Sequence, residues 1–253
     1  MSDAIVRHDH SGGISTITLD SQHNRNALSA QLLSELAAAI DTAEAVDARA
    51  IVLRHEGPAF CAGADLKERR SGPPDSRPMV SVLERLMDTP RPTIAAVNGA
   101  VRAGGIGLMA SCDLIVVHES IDFALTEVRI GVAPAIISVP ILRRVPAGRI
   151  TAAVLTGERF DAREALSMGL VTHVTDDVTA TVDQLTDGVM AGAPAAVAET
   201  KRMLRRVPTL DRDTGFAEMR ELSERLFAGP DAAEGMAAFV EKRLPAWNPA
   251  AGR

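Results

Sequence analysis

Two stretches carry most of the information in this chain. They are Phe60-Cys61-Ala62-Gly63-Ala64-Asp65-Leu66 and Asn98-Gly99-Ala100-Val101-Arg102-Ala103-Gly104-Gly105-Ile106-Gly107. Each concentrates small residues, with an acid at Asp65 in the first and at Glu127 in the segment that follows the second. Small residues let a backbone N–H approach a ligand closely. A helix beginning at Gly104 would add the partial positive charge of its N-terminus. With a second N–H from Ala64, the pair could hold a carbonyl oxygen as it gains negative charge. Close helix–sheet packing at the same glycines is the alternative, and spacing alone leaves both open. A dinucleotide reading of Gly105, Gly107 and Ala110, in the spacing G-x-G-x-x-A, fails on length. The segment from Gly105 to the strand near Asp113 is too short for a crossover helix, and Val97 ends its strand well before the first glycine.

Working outward, Ile5–Arg7 and Ile14–Leu19 flank Ser11-Gly12-Gly13 and read as a hairpin. Ser29 can cap a helix with Leu32, Leu33, Leu36, Ala39, Ile40 and Ala43 on one face. Ala50–Leu53, Thr93–Val97, Leu114–Val117 and Phe123–Leu125 read as strands, and Val80–Met87 as a helix. Residues 69–78, rich in Ser, Gly and Pro, read as a mobile loop. Ala162–Met168 is a short helix closed by Gly169, followed by a strand over Leu170–Val174. From Thr179 onward the pattern gives about four helices and no strand. Strands alternating with helices before a helical tail imply an α/β core over residues 1–195 and a helical region over 196–253.

Composition narrows the function classes. The 253 residues carry a formal charge of −6, with 46% hydrophobic and 24% charged residues. An acidic chain lacks the basic footprint of a nucleic-acid binder. There is no Tyr, so no mechanism needing a tyrosine acid operates here. Two cysteines, Cys61 and Cys112, build neither a disulfide framework nor a thiolate zinc site, and the six histidines do not cluster at ligand spacing. No metal is expected. Met1–His10 lacks the apolar run of a signal peptide, and no window reads as a membrane helix, so a cytoplasmic protein is expected. Cys61 and Cys112 read as small core hydrophobes, His118 and His173 as structural or exposed groups, and Arg102 as a surface ion-pair partner. Met168 and Met236 fit helix–helix packing.

The ordered set of motifs resembles the enoyl-CoA hydratase/isomerase (crotonase) family. Asn26-Ala27-Leu28-Ser29, the two opening stretches, Ala95-Ala96-Val97-Asn98-Gly99, Cys112-Asp113-Leu114 and Leu125-Thr126-Glu127-Val128 carry it. So do Leu155-Thr156-Gly157, Ala165–Val171 and the tail Glu234–Arg243. The resemblance implies a spiral of β-β-α units of the ClpP/crotonase type, with C-terminal helices that build a homotrimer or a hexamer of paired trimers. It implies an acyl-CoA thioester substrate and no separate cofactor, since coenzyme A is part of the substrate. Ala64 and Gly104 match the oxyanion-hole positions. Arg25, Ala62, Asp65, Leu66 and Lys242 match CoA-binding positions, Lys242 toward a neighbouring subunit's CoA. For Arg25 an ordinary solvated charge is an equal alternative.

One departure matters. Hydrating members of this family use two glutamates about 20 residues apart. Glu127 matches the second, but Gly107 stands at the first. Glu127 is left as the acid–base candidate, which suits proton transfer beside a carbonyl. Asp65 or Glu68 could stand in for the missing acid, although Asp65 reads better as a cap. The run Ala124–Ser138 also resembles a bacterial branch related to methylglutaconyl-CoA hydratases, which shares the glycine. A lyase of the hydratase type is the first expectation and Δ3-Δ2 isomerisation the second. A CoA-ester-binding protein with little turnover is the reading from another class.

Overall fold

The computed structural model describes residues 4–68 and 75–251. The hairpin forms as read: β1 (Val6–Ser11) pairs antiparallel with β2 (Ile14–Leu19). The next helix, α1 (Ala30–Ala45), buries the six residues of the apolar stripe and is capped by the Ser29 hydroxyl, which accepts from the Leu32 N–H at 3.2 Å. After it, β3 (Ala50–His55) and β4 (Ala59–Cys61) run in succession, and then α2 (Arg77–Asp88). The loop expected over 69–78 falls mostly on residues 69–74, outside the described residues. Its last two, Arg77 and Pro78, begin α2, where the first turn accepts a proline without losing a hydrogen bond.

The same pattern repeats twice. First come β5 (Thr93–Val97), β6 (Ala100–Arg102) and α3 (Gly104–Ala110); then β7 (Leu114–His118), β8 (Asp122–Ala124), α4 (Ala135–Leu142) and α5 (Ala147–Thr156). Each turn gives one strand to each of two sheets. The larger has the order β1-β2-β3-β5-β7-β10 and the smaller β4-β6-β8-β9. Pairings β3–β5–β7 and β4–β6–β8 are all parallel. The chain therefore winds as a spiral of β-β-α units, as expected.

Three short strands were not anticipated, β4 among them. The strand β6 directly precedes Gly104, so a strand does abut the glycine run, and only the short helix argues against a dinucleotide site. Strand β9 (Arg159–Asp161) closes the small sheet antiparallel to β8. The next helix, α6 (Ala162–Met168), ends at Gly169 as expected. Strand β10 (His173–Thr175) begins later than Leu170 because the Leu170 and Val171 N–H groups bond back to Ala165 O.

The main core draws on both sheets and on α1 to α6. Val52, Ile94, Ala96 and Val116, on the other face of the larger sheet, are covered by Val178 and Val182 of α7 (Val178–Ala191). Both faces of its parallel strands are thus buried, which explains their unbroken apolar runs. Three more helices follow: α8 (Pro194–Arg206), α9 (Arg212–Phe227) and α10 (Pro230–Glu241). Among the described residues no helix is long and apolar enough to cross a membrane.

Candidate active site

Strands β4, β6 and β8 are parallel neighbours, so the segments leaving their carboxyl ends emerge on one side of the small sheet. Those segments are Ala62-Gly63-Ala64, Ala103-Gly104 and Leu125-Thr126-Glu127. Direct contacts bind them together. The Ala103 N–H donates to Ala124 O at 2.9 Å. A Cβ on Gly63 would lie 3.0 Å from the Ala103 Cβ, and Gly63 has φ +90°, so only glycine fits there on both counts. A Cβ on Gly104 would lie 3.8 Å from the Ala64 nitrogen and 2.8 Å from Leu28 Cδ1.

The Ala64 N–H is aimed by its neighbours. The Leu28 N–H donates to Gly63 O at 2.8 Å, and the Asp65 N–H to Leu28 O at 3.5 Å. Ala64 is the central residue of this parallel bridge. In such a pairing the central residue's own N–H points away from the partner. Among the described residues, neither that N–H nor the Gly104 N–H donates to another group. Gly104 opens a helix of seven residues, so its contribution is one specific N–H rather than a long dipole. Ala103, just before it, has φ 48° and ψ −119° without being glycine. That torsion costs about 1–3 kcal/mol and is the kind of strain that collects at working sites.

Asn26 underlies the arrangement, a role the sequence reading missed. It is buried and left-handed, with φ 55°. Its Oδ1 accepts from the Ser21 N–H at 2.7 Å, and its Nδ2 donates to Ala59 O at 2.9 Å and Glu56 O at 3.1 Å. The Asn-Ala-Leu turn is thereby pinned to β4. Next to Asn26, Arg25 O accepts from the Ala62 N–H at 3.0 Å.

Glu127 opens the short 3-10 turn Glu127–Ile130. Its Oε2 is buried with no hydrogen-bond partner among the described residues. Burial pushes its carboxyl above the usual range, opposed only by a backbone hydrogen bond. A carboxylate withdrawn from water holds its proton more tightly than a free one, which suits a group that must both take and return a proton.

The model of the enoyl-CoA hydratase/isomerase family matches residues 9–250. The chain belongs to that family. An enoyl-CoA hydratase of Mycobacterium tuberculosis is 32% identical, over 96% of this chain and 95% of the relative. A carnitinyl-CoA dehydratase of Proteus mirabilis is 33% identical, over 75% of this chain and 77% of the relative. The crystal structure of an enoyl-CoA hydratase/isomerase from Marinobacter aquaeolei superposes with a TM-score of 0.89. It is 30% identical, with 96% of this chain and 99% of that one covered.

In this hydratase/isomerase chain Gly107 has no room for a side chain. A Cβ on Gly107 would lie 2.3 Å from Ile137 Cγ2 and 2.5 Å from Ile137 Cβ. Ile137 belongs to α4. Both proposed stand-ins accept hydrogen bonds from the protein. The Glu68 carboxylate accepts from the Ala30 N–H at 2.9 Å at the start of α1. Asp65 accepts from the Lys67 N–H at 2.9 Å and from Asn24 Nδ2 at 3.1 Å, which holds its carboxyl below the usual range.

The remaining candidates lie around the rim or elsewhere. Arg25, Ala62 and Leu66 are exposed on the loops that carry Ala64. Arg25 makes no ion pair among the described residues. Lys242 lies apart, exposed, at the end of α10. Arg102 forms the ion pair expected of it, 2.6 Å from Asp122. Cys61 and Cys112 are buried, and burial pushes both thiols up to about 12. His118 ends β7 and His173 begins β10, as expected. Met168 packs against the main core. Met236 is 52% exposed on α10 in the single chain.

Proposed function

We propose that this protein moves a proton at the α-carbon of an unsaturated acyl-CoA thioester, with Glu127 as its one acid–base group. The thioester oxygen lies between the Ala64 and Gly104 N–H groups. As Glu127 removes the C2 proton of a 3-enoyl-CoA, the electron pair spreads into a dienolate whose oxygen those donors hold. Glu127 then returns the proton at C4, giving the 2-enoyl-CoA. Coenzyme A arrives and leaves as part of the substrate. The carrying observation is the buried Oε2 of Glu127, without a hydrogen-bond partner among the described residues, together with Ile137 standing where a side chain on Gly107 would go.

The names of the relatives favour a second reading, reversible addition of water to a 2-enoyl-CoA, in which Glu127 would serve both water and α-carbon. Turnover in heavy-oxygen water separates the two. Straight-chain 2- and 3-enoyl-CoA and 3-methylglutaconyl-CoA would be the substrates. Conversion of 3-enoyl to 2-enoyl without label is the expected result; a product heavier by one labelled water establishes hydration instead. Glu127→Gln that keeps both full turnover and CoA-ester binding would remove either reading.

The assembly is part of the proposal. Phe216 on α9 and Phe239 on α10 are 73% and 85% exposed, and Phe227 and Val240 lie open beside them. Isolated large apolar groups are common on surfaces, but four on two adjacent helices favour burial by other copies. The helical region of 196–253 then serves as the contact layer of a trimer or hexamer. In it, Lys242 meets a neighbour's CoA, while Arg25, Ala62, Asp65 and Leu66 border the chain's own. Sedimentation equilibrium at the monomer mass would refute this.

A further inference from the structure

We propose that Ile137 determines how many carboxylates this site holds and so, with Gly107, selects its reaction. The inference rests on the one-carboxylate reading above. Gly107 lies three residues beyond Gly104 on α3, about one helical turn from the proposed oxyanion donor. A side chain there would project toward α4. The obstruction is not only the mobile end of a side chain. Ile137 Cβ would lie 2.5 Å, and its Cα 3.2 Å, from a Cβ on Gly107. Changing the Ile137 rotamer moves Cγ2 but leaves Cβ where it is.

The rest of α4 holds Ile137 in place. Ile137, Pro140 and Ile141 are its buried residues, and Ile137 and Ile141 stand one turn apart on the same face. Position 107 therefore accepts no side chain while α4 keeps its seat. Hydrocarbon occupies the volume that the side chain of a second acid would have to enter. Proton return by one carboxylate needs no such water, whereas hydration is aided by a second group on it. The pair thus works as a reciprocal filter: a glycine on one helix, a β-branched residue on the other.

The test uses the full chain with both residues changed. Glycine rather than alanine is needed at 137, because the Ile137 Cβ itself obstructs. Gly107→Glu with Ile137→Gly should incorporate heavy oxygen from water into 2-enoyl-CoA about tenfold or more faster than the wild type. A folded double variant that binds acyl-CoA yet hydrates no faster overturns the proposal. A second measurement reads the filter through stability alone. Gly107→Ala should melt about 4 °C or more below the wild type. Adding Ile137→Gly should cost less in that background than in the wild type. Gly107→Ala melting at the wild-type temperature, or strictly additive losses, also overturns it. Label uptake by the wild type at its full turnover rate would instead overturn the one-carboxylate reading, whatever the variants do.

Discussion

Asp113, at the head of β7, and Glu127, just past β8, are both carboxylates drawn partly out of water, and the fold treats them in opposite ways. Asp113 Oδ2 accepts from the Thr93 N–H at 2.8 Å and its hydroxyl at 3.0 Å, and faces Lys201 Nζ at 2.8 Å. Its Oδ1 faces Arg205 at 2.9 Å. Lys201 is only 7% exposed and also donates to Arg91 O and Leu86 O. Arg144 donates to the Asp113 and Cys112 carbonyls. This network fastens α8 to the larger sheet. Glu127 has no such company. A saturated buried carboxylate stabilises the fold, and an unsaturated one is held ready for a substrate.

The contrast is broken most sharply by removing charge at each centre. Glu127→Gln should lower kcat about 10²- to 10⁴-fold while leaving the melting temperature no lower, because Oε2 has no partner among the described residues to lose. A large loss of stability would make Glu127 another Asp113. Removing the proposed oxyanion donor should rank next. Ala64→Pro deletes the N–H, and kcat/KM should fall about 10²- to 10³-fold with acyl-CoA binding retained.

Asp113→Ala should do the reverse of Glu127→Gln. It strands Lys201 and Arg205 in a partly buried place, and denaturant unfolding should show a loss of about 3–5 kcal/mol. The kcat of the folded fraction should hold. The smallest expected effect is one of pH. The native Glu127 carboxyl is raised by burial, so the folded state binds its proton more tightly than the unfolded state. Stability from this group is thus present at acid pH. It is lost as pH rises from the ordinary carboxylate value through the raised native one. Activity, which needs the ionised form, should rise through that same window. Glu127→Gln should flatten the group's share of the stability profile.

The sequence was most legible where local pattern and tertiary role coincide. The α1 stripe, the hairpin and the four closing helices follow from periodicity and caps, and the two glycine-containing loops announced themselves by composition. Strands of three residues, β6 and β9, offer too little alternation to register. In β9 only Phe160 is buried, between exposed Arg159 and Asp161. The α4 segment Ala-Ile-Ile-Ser-Val-Pro-Ile-Leu is apolar around most of its circumference, so it shows no stripe, and Pro140 argues locally against a helix. The closure of position 107 was illegible for a different reason. It depends on a contact between two helices distant in sequence, and a glycine announces an absence without naming what fills it.

Proton exchange at the α-carbon tests the central claim most directly. An acyl-CoA would be incubated in heavy water with the wild type or with Glu127→Gln, and deuterium uptake at C2 followed by mass. Exchange by the wild type, reduced about a hundredfold or more in the variant, is the result expected of a single carboxylate beside an oxyanion hole. Equal exchange by the two proteins would contradict it and place the acid–base group elsewhere.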